Sequence, residues 1–262
     1  MTSGASTLRV VALGDGLEKI FWAHVNQDPL DFHFFVYDWT FKRAQTRIFM
    51  ALDEWDAVAG LMVVYLGCLV QVRGTCEAVR LLLEGLDVTG VTVQVPLDCA
   101  DVVAGKFPIV EQKATVVFLA LRKGEEKIDV TSETERLRIG DAGEIAKLMR
   151  DAYPEFWSQT TVEDVKESFE DALWVGIRRE GKLAAFGKAV PTRPVSHVAW
   201  IATLEGYRNR GYATSVLSTL LKKLLGSSST AVIYVLSDNP VAMRLYSKVG
   251  FKPYKRYFYV KT

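Results

Sequence analysis

The sequence Tyr207-Arg208-Asn209-Arg210-Gly211-Tyr212-Ala213 decides how the rest of the chain is interpreted. An apolar run, residues 198–204, precedes it, and apolar residues recur at helical spacing after it: Val216, Leu217, Leu220, Leu221, Leu224 and Leu225. The stretch is therefore predicted to be a tight basic turn between a strand and the start of a helix. Free N–H groups at a helix start bind anions. Gly211 has no Cβ to keep a phosphate from the backbone, and Arg208 and Arg210 supply donors for phosphate oxygens. We interpret the turn as a pyrophosphate-binding site; an ordinary surface turn is the alternative.

A second informative stretch, Ser237-Asp238-Asn239-Pro240-Val241-Ala242-Met243-Arg244-Leu245-Tyr246-Ser247-Lys248-Val249-Gly250-Phe251, follows a predicted strand at 231–236. Asn239 before Pro240 is a favourable start for a helix, because Asn caps free N–H groups and proline suits the first helical position. The stretch is thus predicted to continue from strand into helix.

Together, Arg208-x-x-Gly211-x-Ala213 and Asn239-Pro-x-Ala-x-x-Leu-Tyr246-x-Lys-x-Gly-Phe251 resemble the GNAT superfamily of acetyl-CoA-dependent N-acetyltransferases. The first resembles the family's pyrophosphate-binding motif, with Ala213 where many members have glycine. The second resembles its later strand–helix motif. The resemblance covers the second half of the chain and implies an α/β fold, with a mixed, mostly antiparallel twisted sheet flanked by helices.

The same resemblance assigns roles to individual residues. It implies that the strand backbone at Ile201, Ala202 and Thr203 pairs with the pantetheine arm of the cofactor. It implies that the diphosphate binds at the turn and the first helical residues: Arg208, Asn209, Arg210, Gly211, Tyr212, Ala213 and Thr214. It implies that Asn239 contacts the cofactor, although a helix cap explains this residue as well. Tyr246 matches the tyrosine that donates a proton to the departing sulfur, with a packed core tyrosine as the alternative.

No motif identifies the general base. His197, early in the strand, and Glu205, just after it, are candidates that could act directly or through water. In this family the acceptor site is built by early helices and variable loops, which correspond to residues 153–161 and 193–197. Tyr153, Phe156 and Trp157 could line that site, and packing explains them equally well.

Composition and charge fit this interpretation. The 262 residues are 49% apolar and 24% charged, which is ordinary for a folded protein in water. Residues 1–130 carry a net charge of −5 and residues 131–262 of +6. A basic second half suits a polyanionic cofactor, and no basic stripe or RNA-binding or zinc-finger motif indicates a nucleic-acid partner.

No segment predicts a membrane span or a secretory signal. The longest apolar run, residues 58–72, is too short to cross a bilayer and contains Tyr65 and Gln71. The N-terminal residues Met1-Thr2-Ser3-Gly4-Ala5-Ser6 lack a basic region followed by an apolar one. Three cysteines, Cys68, Cys76 and Cys99, have no metal-like spacing and are expected to be small buried residues in a reduced, cytoplasmic protein. No metal is expected.

The order of predicted elements suggests two copies of one fold. In the first half it is a helix, three antiparallel strands, a helix, a strand, a helix and a strand. An aromatic cluster (32–41) in this half is interpreted as domain core, with the lining of a substrate pocket as the alternative. The second half has the same three strands, helix, strand, helix and strand. The first half has only Arg73-Gly74 where the second has its phosphate turn. We therefore expect a degenerate GNAT-like domain without a cofactor motif (residues 1–127) and an N-acetyltransferase domain (128–262), joined within the charged segment 122–134.

Four functions are compatible with these patterns. The first is transfer of an acetyl group from acetyl-CoA to a primary amine, by direct attack in a ternary complex. The second is an acyltransferase using another acyl-CoA, as in glycine N-acyltransferase-like relatives. The third is a non-catalytic acyl-CoA sensor, which Tyr246 disfavours. The fourth is a phosphate-binding interaction protein, which the presence of both motifs disfavours.

Overall fold

The computed structural model describes residues 7–86 and 89–262. Residues 1–6, on which the expectation about a secretory signal depends, lie outside the described part. The first half of the chain contains β1 (Arg9–Ala12), α1 (Glu18–Val25), α2 (His33–Phe41), β2 (Thr46–Leu52), β3 (Val58–Tyr65), β4 (Leu69–Gly74), α3 (Cys76–Glu84), β5 (Thr92–Pro96), α4 (Ala100–Lys106) and β6 (Gln112–Arg122). The second half contains β7 (Glu135–Arg136), α5 (Ala142–Ala152), α6 (Pro154–Trp157), α7 (Val162–Glu167), β8 (Leu173–Arg179), β9 (Lys182–Val190), β10 (Val195–Thr203), α8 (Tyr212–Leu224), β11 (Thr230–Leu236), α9 (Pro240–Val249) and β12 (Lys252–Lys261).

The chain divides into two compact units whose boundaries differ from the predicted domains. Unit 1 comprises the chain up to Val117 together with Leu236–Asp238 and Lys255–Thr262. Unit 2 comprises Phe118–Val235 and Asn239–Tyr254. The expected division at 127/128 stays a prediction, and most of the C-terminal strand, which we expected to complete the second half, belongs to unit 1. Antiparallel strands find partners far along the chain, so local pattern does not show which unit a terminal strand completes.

Unit 1 is built on strands in the order β1-β2-β3-β4-β5-β12. Neighbouring strands from β1 to β4 are antiparallel, β4 and β5 are parallel, and β5 pairs antiparallel with β12. Side chains alternate between two cores, because successive residues of a strand face opposite ways. Ile48 and Met50 pack in a core with α1 and α2, whereas Ala51, Met62 and Val64 pack against α3.

One expectation about unit 1 is confirmed and another was wrong. The aromatic run 32–41 contributes Phe32, Phe35 and Trp39 to a buried core, as expected, and it does so largely from helix α2. The cysteines were expected to be buried free thiols. Instead Cys76 and Cys99 form a disulfide between the start of α3 and the turn before α4, and Cys68 is exposed. The pairing joins residues 23 apart in sequence, a spacing that carries no disulfide signature by itself.

Unit 2 repeats the strand arrangement of unit 1. Consecutive strands from β7 to β10 pair antiparallel, and β11 pairs parallel with β10. Helices α5 and α7 cover one face of the sheet. Helix α8 covers the other and buries its apolar stripe completely. Gly187 permits this close packing, because a Cβ there would lie 2.7 Å from both Ile201 and Val216. The unit therefore holds β10 and α8, the two elements on either side of the basic turn, in fixed positions.

The charged segment predicted to join the domains is tied to α8. The backbone N–H groups of Asp129 and Thr131 donate to the hydroxyls of Ser218 and Ser215, at 3.0 and 3.1 Å. These two serines are fully buried, so their hydroxyl groups need such partners. Thr131 comes close to the basic turn, since a Cβ at Gly211 would lie 3.3 Å from its hydroxyl oxygen.

Candidate functional site

Strand β10 separates from its neighbour partway along its length. It pairs with β11 along Val195–His197, and within the described residues no pairing of the two strands extends further. Its pairing with β9 continues to Thr203. The backbone at Ile201, Ala202 and Thr203 therefore lies where β10 has left β11, and a strand edge of this kind can accept an extended ligand as an added strand.

The basic turn follows directly. A 3₁₀ turn, Glu205–Tyr207, leads into extended backbone at Arg208. Asn209 and Gly211 then take left-handed conformations, with φ of +61° and +79°. Asparagine tolerates this region better than most residues, and glycine adopts it without steric cost. The local sequence thus produces the tight bend that precedes α8.

The N-terminus of α8 has no side-chain cap. The first hydrogen bond that closes a helical turn is donated by the Ser215 N–H to the carbonyl of Gly211, at 3.0 Å. The N–H groups of Tyr212, Ala213 and Thr214 precede it and have no acceptor within the helix. Together with the helix dipole, these donors favour an anion at this end.

The two arginines of the turn have different environments. The Arg208 guanidinium binds protein carbonyls, donating from Nη2 to Ala152 at 3.1 Å and from Nε to Thr203 at 3.3 Å. Arg210 is exposed and lies over the ring of Tyr207, 5.5 Å from its centre. Both arginines are exposed, but the hydrogen bonds of Arg208 brace the turn against β10 and the end of α5, whereas Arg210 packs on a ring of the turn itself.

Several of the residues assigned to the cofactor could contribute only backbone groups. Tyr212 and Thr214 are buried, and the Tyr212 hydroxyl accepts a hydrogen bond from Arg179 Nε at 3.0 Å. Ala202 packs in the core beneath α5. The Thr203 hydroxyl is buried without a hydrogen-bond partner among the described residues. Side-chain contacts with a ligand at this segment are thus restricted to fewer positions than the predicted set of residues.

Asn239 caps α9 and binds a residue that the motif does not include. Its Oδ1 accepts from the N–H of Ala242 at 3.0 Å, as expected for a helix cap. Its Nδ2 donates to the hydroxyl of Tyr153 at 2.7 Å. The two residues lie 86 positions apart, and no sequence spacing indicates this contact.

Tyr246 lies on α9, seven residues after Asn239, and only 7% of its surface is exposed. Burial raises the pKa of its hydroxyl far above the ordinary value for a phenol, and the neighbouring Tyr153 raises it further. The phenol therefore stays protonated throughout the physiological pH range. The structure places Tyr246 and Tyr153 within electrostatic range of each other in unit 2.

The two candidate bases lie at different distances from the separated part of β10. His197 is paired with Val190 on one side and Val232 on the other, below the point where the strands part. Ile201 is four residues away, roughly 13 Å along a strand. Glu205 is exposed and begins the turn at the end of β10. Glu205 is thus the nearer of the two to Thr203.

Unit 1 has a cleft of its own, of about 560 Å³, with a different lining. The lining residues are mostly polar or charged: Asp31, Arg73, Gly74, Pro96, Leu97, Asp98, Lys255, Arg256 and Tyr257. Arg73 is buried and donates from Nε to Asp31 at 2.6 Å and from Nη2 to Gln94 at 2.6 Å. Burial acts to raise the pKa of Asp31, but Arg73 and hydrogen bonds from Lys255 and Tyr257 outweigh it and hold that pKa below its usual value. The buried charges of this cleft are bonded to one another.

A potential metal-ligand group lies at the edge of the same cleft. Cys76, Asp98 and Cys99 place their ligand atoms within 4.8 Å of one another. The two sulfur atoms are joined in the disulfide. In this oxidised form they are not the thiolates that bind metals.

Comparisons with known proteins match the segment that contains the basic turn and α9. A model of the acetyltransferase (GNAT) family matches residues 143–251. An N-alpha-acetyltransferase from Sulfurisphaera tokodaii is 30% identical over an alignment of 159 residues that covers 54% of this chain and 91% of that protein. No helix in the described residues has the length and apolar character needed to cross a bilayer.

Solved structures extend the likeness to both halves. A Drosophila protein superposes with a TM-score of 0.73 at 14% identity, covering 98% of each chain. A tandem GNAT protein from the clavulanic acid biosynthesis pathway gives a TM-score of 0.58 at 14% identity, covering 97% of this chain and 98% of that one. At this identity they establish the fold, which is the mixed sheet with flanking helices expected from the motifs, present in two GNAT-like copies.

Proposed function

This chain belongs to the acetyltransferase (GNAT) family, and we propose that its second unit transfers an acetyl group from acetyl-CoA to a primary amine. The family implies acyl transfer from an acyl-CoA. The finer proposal, N-acetylation in a ternary complex by residues 128–262, is supported by the groups that the two sequence motifs bring into one unit.

The uncapped N-terminus of α8 is the observation that carries the proposal. Three backbone N–H groups, a helix dipole and the exposed Arg210 lie at a glycine bend, which fits a diphosphate. The separated edge of β10 fits the extended pantetheine arm, with Ile201, Ala202 and Thr203 offering backbone groups. Residues Arg208, Asn209, Gly211, Tyr212, Ala213 and Thr214 form the bend and the first turn around these donors.

The reaction needs little from the protein beyond positioning. The neutral amine attacks the thioester carbon, the new C–N bond forms, and a backbone N–H of β10 stabilises the oxyanion. The C–S bond then breaks, and the thiolate receives a proton. Tyr246, which its burial keeps protonated, is our candidate for that donor. The nitrogen loses its extra proton to water or to Glu205.

A coenzyme A release assay tests the proposal. The acceptor panel should contain N-terminal peptides, lysine peptides, polyamines, aminoglycosides and amino acids, with the N-terminal peptides first because of the relative named N-alpha-acetyltransferase. We expect release that depends on both acetyl-CoA and one class of amine. Release no faster than thioester hydrolysis with every amine would contradict the proposal.

A parallel measurement distinguishes the alternatives. A rise in melting temperature with acetyl-CoA, but no turnover, would support an acyl-CoA sensor. Turnover with benzoyl- or longer acyl-CoA, but not with acetyl-CoA, would support a glycine N-acyltransferase-like enzyme. An unchanged melting temperature with every acyl-CoA would exclude the acetyltransferase, the sensor and the glycine N-acyltransferase-like enzyme alike.

A further inference from the structure

The side-chain amide of Asn239 has a fixed orientation. Its Oδ1 accepts from the Ala242 N–H, and a flipped amide would place Nδ2 against that donor. Nδ2 must therefore face the Tyr153 hydroxyl, 2.7 Å away. One lone pair of the oxygen and one N–H of the amide are thus used within the protein, and these two bonds fix the direction in which the Asn239 amide points.

Tyr153 is held from two sides. It lies at the junction between the end of α5 and the start of α6. Arg208, from the basic turn, binds the carbonyl of the preceding residue, Ala152, at 3.1 Å. Asn239, from the start of α9, binds the Tyr153 hydroxyl. The turn and α9, which carry the two family motifs, therefore both fix the position of this one residue.

The hydroxyl of Tyr153 is bound to the helix that carries the proposed leaving-group donor. Its partner Asn239 caps α9, and Tyr246 lies on the same helix, about two turns further along. The Tyr153 ring is half-buried and packs against Trp157, with ring centres 5.9 Å apart, and Trp157 in turn packs against Trp200 of β10. The hydroxyl is thus held in place beside the strand and helix that carry the proposed chemistry.

We propose that Tyr153 positions the acceptor amine, and that Asn239 acts by holding the Tyr153 hydroxyl rather than by contacting the cofactor. This role rests on the proposed N-acetyltransferase function. Asn239 donates to one lone pair of the phenolic oxygen and leaves another available. An N–H of the neutral amine donates to it, and the nitrogen lone pair is then directed at the thioester carbon.

Four proteins test this role: wild type, Tyr153→Phe, Asn239→Ser and the double variant, assayed with an amine that the wild type acetylates. Phenylalanine keeps the ring contacts and removes only the hydroxyl. Serine keeps a good helix cap but is too short to reach Tyr153. We expect each single variant to raise the KM for the amine about tenfold, as for a lost hydrogen bond. The double variant should be no worse than Tyr153→Phe alone, because both changes remove the same contact.

Calorimetry with acetyl-CoA supplies the second readout, and affinity should stay within about twofold of wild type in all variants. Tenfold weaker acetyl-CoA binding by Asn239→Ser would show that Asn239 contacts the cofactor, and this would overturn the role proposed for Asn239. An active wild type with an unchanged amine KM in Tyr153→Phe would overturn this inference and leave the proposed function standing. A wild type that binds acetyl-CoA but acetylates no amine would refute the proposed function, and this role with it. Asn239→Ala removes the cap as well as the Tyr153 contact, so the difference in melting temperature between Asn239→Ala and Asn239→Ser shows how much the cap contributes.

Discussion

Helices α3 and α8 occupy equivalent places in the two units, but their N-termini differ. Helix α3 is capped by Thr75, whose hydroxyl oxygen accepts from the N–H of Ala78 at 3.2 Å. The preceding Gly74 is packed against protein, since a Cβ there would lie 2.3 Å from the carbonyl oxygen of Ala59. Helix α8 follows Gly211 without a side-chain cap. One helix end thus has a side-chain cap on one of its first N–H groups, and the other has none, which is why we propose the second as the anion-binding end.

The strands before these helices differ in the same way. Parallel pairing of β4 with β5 ends at Gln71 and Gln94, and Arg73, just beyond, bonds across to Gln94 and lies over the Tyr257 ring at 3.9 Å. Strand β10 leaves β11 after His197, and its residues beyond that point include Ala202 and Thr203. In unit 1 the Arg73 guanidinium thus fills the gap where the two parallel strands part, whereas in unit 2 the backbone of β10 borders the corresponding gap. The proposed binding site therefore lies in the unit whose gap the protein does not fill itself.

Among the changes that test this comparison of the two units, removal of the Arg73 charge should have the largest effect on stability. Arg73→Met leaves the buried Asp31 carboxylate with Lys255 and Tyr257 only. Breaking a buried ion pair costs about 3 kcal/mol or more, and the remaining partners favour the lower figure. Urea denaturation should show this loss for unit 1, whereas Arg210→Met, at an exposed position, should change stability little.

The pH dependence of the same variants sharpens the result. The pKa of Asp31 in the folded protein lies below its ordinary value of 3.8. Its contribution to stability is therefore present above that pH and is lost as the pH falls through the folded pKa. Arg73→Met should show less of this acid-dependent loss than wild type. Equal stability of Arg73→Met and wild type at neutral pH would show that the cluster does not hold unit 1 together.

Closing the N-terminus of α8 should have the next largest effect. Gly211→Glu places a side chain and a negative charge where the diphosphate is proposed to bind, so affinity for acetyl-CoA should fall at least 100-fold, about 2.7 kcal/mol. Gly181→Glu is the matched control. Gly181 lies in unit 2 with φ of +76°, close to the +79° of Gly211, in the turn between β8 and β9. Calorimetry that finds acetyl-CoA binding equally weakened in both variants, or unchanged in both, would contradict the proposed site.

Opening the N-terminus of α3 should have a smaller effect. Thr75→Val keeps the shape of the side chain and removes the capping oxygen, which should cost about 1 kcal/mol of stability. Thr75→Ser keeps the oxygen and should be close to wild type. Neither variant should gain affinity for acetyl-CoA, because Gly74 and Arg73 still close this end. Tighter acetyl-CoA binding by Thr75→Val would mean that the Thr75 cap alone keeps the cofactor from binding at the start of α3.

The smallest effect should distinguish the two arginines of the turn. Arg210→Gln should weaken acetyl-CoA binding about threefold and reduce its dependence on salt, because an exposed charge near a phosphate is screened. Arg208→Gln should instead lower the melting temperature, because it removes the hydrogen bonds to Ala152 and Thr203. Titrations at two salt concentrations together with thermal denaturation would test this, and the reverse assignment would contradict it.

Much of each unit follows from local pattern. The leucine spacing of α8, the cap of α3 at Thr75 and the alternating strands can be predicted because they depend on neighbouring residues. The features that a local pattern misses are long-range ones. The pairing of β12 with β5, the Cys76–Cys99 disulfide and the contact between Tyr153 and Asn239 each join distant positions. The motif identified Arg208 but could not show that its guanidinium binds protein carbonyls.

The most direct test of the account is a crystal structure with coenzyme A bound. We predict one coenzyme A per chain, in unit 2, with its diphosphate within hydrogen-bonding distance of the N–H groups that follow Gly211. A diphosphate bound at the start of α3, or away from both helix starts, would contradict the account.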